Sequence, residues 1–139
     1  MVIRTLELLL AAAFFFAPGL AWSKPAAPST IPALEERLKK KPQDRAARQS
    51  LAELYYKQKN LKKTIEVLAP YSNEIDSEGL ILLSEAYVAQ KDLLNAIRTL
   101  QLYEQKDPNR FRPHFLLGEA YSKNGQKDEA VASYRKAIE

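Results

Sequence analysis

Few side chains in this 139-residue chain could carry out chemistry. There is one histidine, His114, beside Pro113, and there is no cysteine. A general base needs a partner within hydrogen-bond reach and usually a cleft, and no nucleophile–base pair at a telling spacing accompanies His114. One lone histidine without thiols does not furnish a metal site. The chain has four glycines, and Gly118 and Gly125 are accounted for by helix packing and a turn, so no phosphate-cradling loop remains. No catalytic, cofactor-binding or metal-ligating residue is assigned, and the chain reads as a non-enzyme that needs no cofactor. What does recur is carboxylate, as Glu53, Glu85 and Glu119 stand one per period along the chain. A solvated helix surface would also show glutamates, because Glu is a favoured helix residue.

The elements that would position such a row lie behind a leader. Leu8–Ala17 is wholly apolar, Pro18-Gly19 breaks it, and Ala21-Trp22-Ser23 places small residues around a bulky one. That order matches a secretory signal peptide over 1–23, cleaved after Ser23. An uncleaved anchor is the alternative, although the uncharged stretch is shorter than the roughly 20 residues that span a bilayer. The expected location is therefore periplasmic or secreted, or else the inner membrane with the chain facing the periplasm. Residues 24–32 carry three prolines among small residues and are expected to form an extended tether without helix. The net charge of +4 is too mild to argue for nucleic acid. Charge is nevertheless segregated: Lys24–Lys63 is strongly basic, Thr64–Asn109 is acidic, and the remainder is mildly basic.

From residue 33 onward the apolar spacing is helical. Leu34 and Leu38 mark a short helix over 33–42, with acids early and lysines late, ended by Pro42. Leu51-Ala52, Leu83-Ser84 and Leu117-Gly118 then fall in one slot, and Tyr55, Tyr87 and Tyr121 keep the same step, as do Thr64, Ala96 and Ala130. Three helix–turn–helix units are expected at 45–76, 77–110 and an incomplete 111–139. Asn60 and Asp92 read as helix caps, and Pro70 as a helix end. The expected core includes Ala47, Leu51, Leu54, Tyr55, Leu80, Leu83, Ala86, Tyr87, Leu94, Ile97 and Leu100.

A period of about 34 residues built this way resembles the tetratricopeptide repeat family. The resemblance implies an all-α fold: a short right-handed solenoid of three repeats behind an N-terminal cap helix. This sequence departs from the family where the usual Trp slot holds Arg48, Leu80 and His114. It departs again where a small slot holds Tyr71 and Tyr103, and where Asp76 replaces the closing proline of the first repeat.

The resemblance also implies a concave groove lined by the first helix of each repeat. That face holds Gln49, Glu53, Tyr56 and Lys57, then Ile81, Glu85, Val88 and Ala89, then Arg112, Phe115, Glu119, Ser122 and Lys123. An apolar strip of Tyr56, Ile81, Val88 and Phe115 would run beside the glutamate row. Such a face suits a peptide or helix with apolar anchors and Lys or Arg neighbours. The expected function is a protein-interaction adaptor binding a protein or peptide, without nucleic acid, and contacting membrane only if the leader is retained. Two alternatives stand beside it. One is a membrane-tethered assembly factor with the basic first third at the membrane. The other is a self-associating structural subunit, since Val131 and Ile138 on the last helix would lack the cover of a following helix.

Overall fold

The computed structural model describes residues 30–139, so the leader and most of the tether lie outside the described residues. Among the described residues there are seven α-helices and no strand. They are α1 (Ile31–Lys40), α2 (Arg45–Lys57), α3 (Leu61–Leu68), α4 (Ser77–Ala89), α5 (Leu93–Lys106), α6 (Phe111–Lys123) and α7 (Lys127–Ile138). Each helix packs on its neighbours in chain order, and α2 also touches α4. Three antiparallel pairs, α2–α3, α4–α5 and α6–α7, therefore stack behind the single helix α1.

The local reasons for these helices are visible at their ends. Carboxylate or amide side chains accept from backbone amides two residues into the helix: Asp44 from Ala47 at 3.0 Å, Asn60 from Lys63 at 3.3 Å, Asp76 from Gly79 at 2.8 Å, and Asp92 from Asn95 at 3.2 Å. Each bond satisfies a donor that the first helical turn leaves open. The three turns inside the pairs close identically. The amides of Asn60, Asp92 and Gln126 return to Tyr55, Tyr87 and Tyr121, and those of Lys59, Lys91 and Gly125 return to Tyr56, Val88 and Ser122. This is the Schellman closure, which requires a left-handed residue just past the helix. Lys59 (φ 61°), Lys91 (φ 63°) and Gly125 (φ 80°) occupy that position.

Three expectations need correction. The tether does not stay extended through Pro32, because α1 starts at Ile31 with the proline in its first turn. A missing amide costs nothing there, and Ile31 joins the apolar contacts of the helix. Leu94 is 64% exposed, since Ala96, Ile97, Leu100 and Tyr103 form the inner stripe of α5. Leu93, one position and about 100° away, is half-buried. Leu54 and Tyr87 are half-buried rather than fully enclosed. As expected, α3 stops before Pro70, and a 3₁₀ turn, Ala69–Tyr71, follows.

Two apolar clusters hold the stack. Leu34, Ala47, Leu51 and Tyr55 join α1 to α2, while a larger cluster links Ala52, Leu68, Leu80, Leu83, Leu100 and Leu117 across all three pairs. Of the slots that depart from the family pattern, Arg48, Leu80, His114 and Tyr103 are buried, Tyr71 is half-buried, and Asp76 is exposed as the N-cap of α4. The small residues Ala52, Ser84 and Gly118, with Thr64, Ala96 and Ala130, are buried too. Ile75, in the loop before α4, fills the core where the shorter first repeat leaves room, and Lys106 holds that loop by donating to the carbonyls of Asn73 and Ile75.

Candidate functional site

Because each pair is antiparallel, α2, α4 and α6 run in the same direction and present one shared face. A groove of about 300 Å³ opens there, reached by all three helices. Tyr56 comes from α2, Glu85 and Val88 from α4, and Leu116, Glu119 and Lys123 from α6, with Leu100 of α5 at the floor. Two carboxylates from successive helices thus border an apolar trough. Burial, and then the neighbouring Glu85 carboxylate, push the Tyr56 hydroxyl above its ordinary range, so it stays a neutral hydrogen-bonding group.

Of the residues expected on this face, Tyr56, Glu85, Val88, Ala89, Glu119 and Lys123 converge on the groove. Glu53, Lys57 and Ser122 are exposed on the same helices but do not line it. Gln49 is half-buried, and its amide nitrogen lies 3.1 Å from the Asp76 carboxylate, tying α2 to the start of α4. Arg112 faces Glu78 at 3.5 Å on the outer edge. Ile81 is 3% exposed and belongs to the core with Leu117 and Ala120, so it is not a surface residue. Phe115 is 38% exposed but stacks on Phe111 at 5.3 Å and meets Tyr134 of α7 at 5.9 Å, away from the groove.

Gln49, Ile81 and Phe115 occupy equivalent places on their helices; in the first two pairs that place meets the following pair, whereas Phe115 lies against Tyr134 of its own pair. The expected apolar strip is therefore broken into a groove pair, a core residue and a flank. Leu116 was not expected on this face. Its signal was the doubled Leu116-Leu117, matching Leu82-Leu83, where one leucine of each pair is buried and the other half-buried.

His114 is buried in the first turn of α6. Its Nε2 lies 2.8 Å from the Pro108 carbonyl, and its Nδ1 is 3.2 Å from Glu104 Oε1, which also accepts from Lys136 at 3.2 Å. A cleft of about 670 Å³ opens beside it, lined by Pro108–Phe111 and the end of α7 as well as Glu104 and Lys136. No Ser, Thr or Cys lines that cleft to act as a nucleophile. Among the described residues no group of three His, Cys, Asp or Glu gathers as a metal site. No helix among them is long and apolar enough to cross a membrane.

The family model described as tetratricopeptide repeat matches residues 111–139. No curated protein matches the chain. Solved structures similar to it include one of MamA, with a TM-score of 0.70 and 23% identity over 78% of this chain and 64% of that one. A second MamA structure, AMB-1, superposes with a TM-score of 0.69 and 20% identity over 78% of this chain and 60% of that one. MamA from Desulfovibrio magneticus RS-1 gives 0.65 and 22% over 78% and 62%. The chain spans less than two thirds of the length of these structures. Its fold is all-α and tetratricopeptide-like, and the α6–α7 pair is the part that matches the repeat itself.

Proposed function

We propose that the chain is a protein-interaction adaptor that holds a partner peptide or helix in the groove between α2, α4 and α6, without transforming it. The observation that carries this reading is the trough itself, with Tyr56, Val88 and Leu116 as apolar lining and Glu85 and Glu119 beside them. A helix or extended segment with an apolar anchor and neighbouring Lys or Arg fits both features. The leader supports a periplasmic or secreted address after cleavage; retention of the leader would instead leave the solenoid anchored at the inner membrane and facing the periplasm. Either way the groove is the recognition element.

The test is binding of labelled amphipathic peptides with Lys-flanked apolar anchors, followed by anisotropy, beside peptides whose lysines are replaced by glutamate. The Lys-flanked set should bind the parent and lose about tenfold or more on Glu85→Lys with Glu119→Lys, since charge reversal removes attraction and adds repulsion. Circular dichroism confirms that the variant is folded. Equal binding of parent and variant would sink the groove reading. It would redirect attention to the outer face of α6–α7, where Val131 is 50% and Ile138 82% exposed, and thus to self-association.

A further inference from the structure

The antiparallel pairing that puts one face of α2, α4 and α6 in a groove also puts all three intra-pair turns along a single edge of the solenoid. That edge is a lysine row. Lys57 and Lys59 stand at the first turn, Lys91 at the second, and Lys123 and Lys127 at the third, all exposed. Among the described residues none of these five is in an ion pair, while Lys62, in the first turn of α3, faces Glu66 at 3.9 Å. The acids beside the turns are Asp92, Asp128 and Glu129. Asp92 is committed to capping α5, while Asp128 and Glu129 sit in the first turn of α7, where the helix dipole favours them.

Two features separate this row from an ordinary solvated edge. First, Lys59 and Lys91 hold the left-handed position of their turns. A side chain there is strained, and Gly125 shows that glycine fits the same closure in the third turn. Lysine is thus carried twice at a position where the fold would prefer glycine, and strain of this kind points to a role outside the fold. Second, among the described residues no arginine lies in or next to these turns. Arginine suits shaped, bidentate recognition of a single carboxylate or phosphate, while lysine is a mobile, hydrated point charge. A row of exposed lysines matches a diffuse, planar sheet of negative charge.

We propose that this edge rests on an anionic lipid surface, with Lys57, Lys59, Lys91 and Lys127 among the headgroups; Lys123, at the same edge, also lines the groove. Each lysine so placed contributes about fivefold in binding, and the attraction is screened by salt. The inference does not depend on what occupies the groove.

The experiment is co-sedimentation of the full chain with vesicles of mixed phosphatidylglycerol and phosphatidylcholine, beside vesicles of phosphatidylcholine alone. The leader is common to every variant, so differences report the edge. The parent should prefer the anionic vesicles and lose that preference as salt is raised. A variant carrying Lys59→Gly, Lys91→Gly and Lys127→Gln should bind them on the order of 100-fold more weakly. The same variant should melt higher, by about 4 °C or more, because the two left-handed positions are relieved. Arginine at the same three positions should retain vesicle binding. Two outcomes would overturn the proposal: undiminished binding by the folded triple variant, or capture by polyglutamate-coated beads in place of vesicles. The last would make the edge a surface for an acidic protein.

Discussion

Arg48 shows how single residues settle the departures from the repeat pattern. It stands where a tryptophan is usual, yet it is 2% exposed, with its guanidinium 3.3 Å above the ring of Tyr71 and one nitrogen donating to the Pro42 carbonyl. Its Nη1 has no partner, so the stacked ring is the main compensation for taking this charge out of water. Tyr71 itself fills a slot where a small residue is usual. The two departures answer each other: a long planar cation replaces a long aromatic ring and stacks on the tyrosine. A double-mutant cycle of Arg48→Ala and Tyr71→Ala, read by urea unfolding, should show a favourable coupling of about 1–2 kcal/mol. Additive losses would mean that the stack contributes nothing. Both positions stood out in the sequence as irregular, but their contact did not, because it joins α2 to a 3₁₀ turn more than twenty residues later.

At the scale of the element, the α6–α7 pair depends on Gly118. A Cβ at this position would lie 2.5 Å from the Tyr134 ring, well inside contact distance, so α7 can close on α6 only over a bare backbone. Gly118→Ala should therefore lower stability by about 1–3 kcal/mol despite alanine's better helix propensity, as a shift of the urea midpoint. A stabilised variant would show that the ring swings away freely. The need for a small residue was legible from the matched slots at Ala52, Ser84 and Gly118. Which atoms press on it was not, since the sequence pairs Gly118 most naturally with the small Ala130. Helix limits were legible for a local reason: a cap acts within one turn of its helix. Asn60 and Asp92 accept from the expected amides, and Pro70 ends α3.

Across the whole molecule, the tyrosines of the repeats set a common response to alkali. Burial raises the hydroxyls of Tyr55, Tyr56, Tyr87 and Tyr103 above their ordinary value of 10.0. Neighbouring carboxylates add to the rise at Tyr55, through Glu35, and at Tyr56, through Glu85. A raised folded-state value means that the folded chain holds protons the unfolded chain releases. The stabilisation is then complete below pH 10 and is lost as pH rises through the folded-state values. The melting temperature should fall progressively above about pH 10, with tyrosinate absorbance at 295 nm appearing together with unfolding. Tyrosinate forming well before unfolding would mean the rings ionise without cost to the fold. Because each repeat touches only its neighbours, the loss should spread along the stack.

What the sequence determined by itself is what local forces decide. Helical spacing, capping side chains and the recurring small slots established three stacked pairs behind a leading helix, and they identified Tyr56, Glu85, Val88 and Glu119 as lying on one face. Interactions of this kind reach no further than a few residues, or repeat with the period, so one dimension suffices to read them. Only the tertiary structure decided what each surface position meets. Ile81 enters the core because a following pair covers it, whereas the equivalent Phe115 flanks α7; Leu94 turns to solvent while Ala96, Ile97 and Leu100 of α5 are buried; and lysines far apart in the chain line one edge because the helix pairs are antiparallel. Burial depends on which neighbour stacks on a slot and at what rotation, and those are properties of the assembled stack, absent from any single repeat.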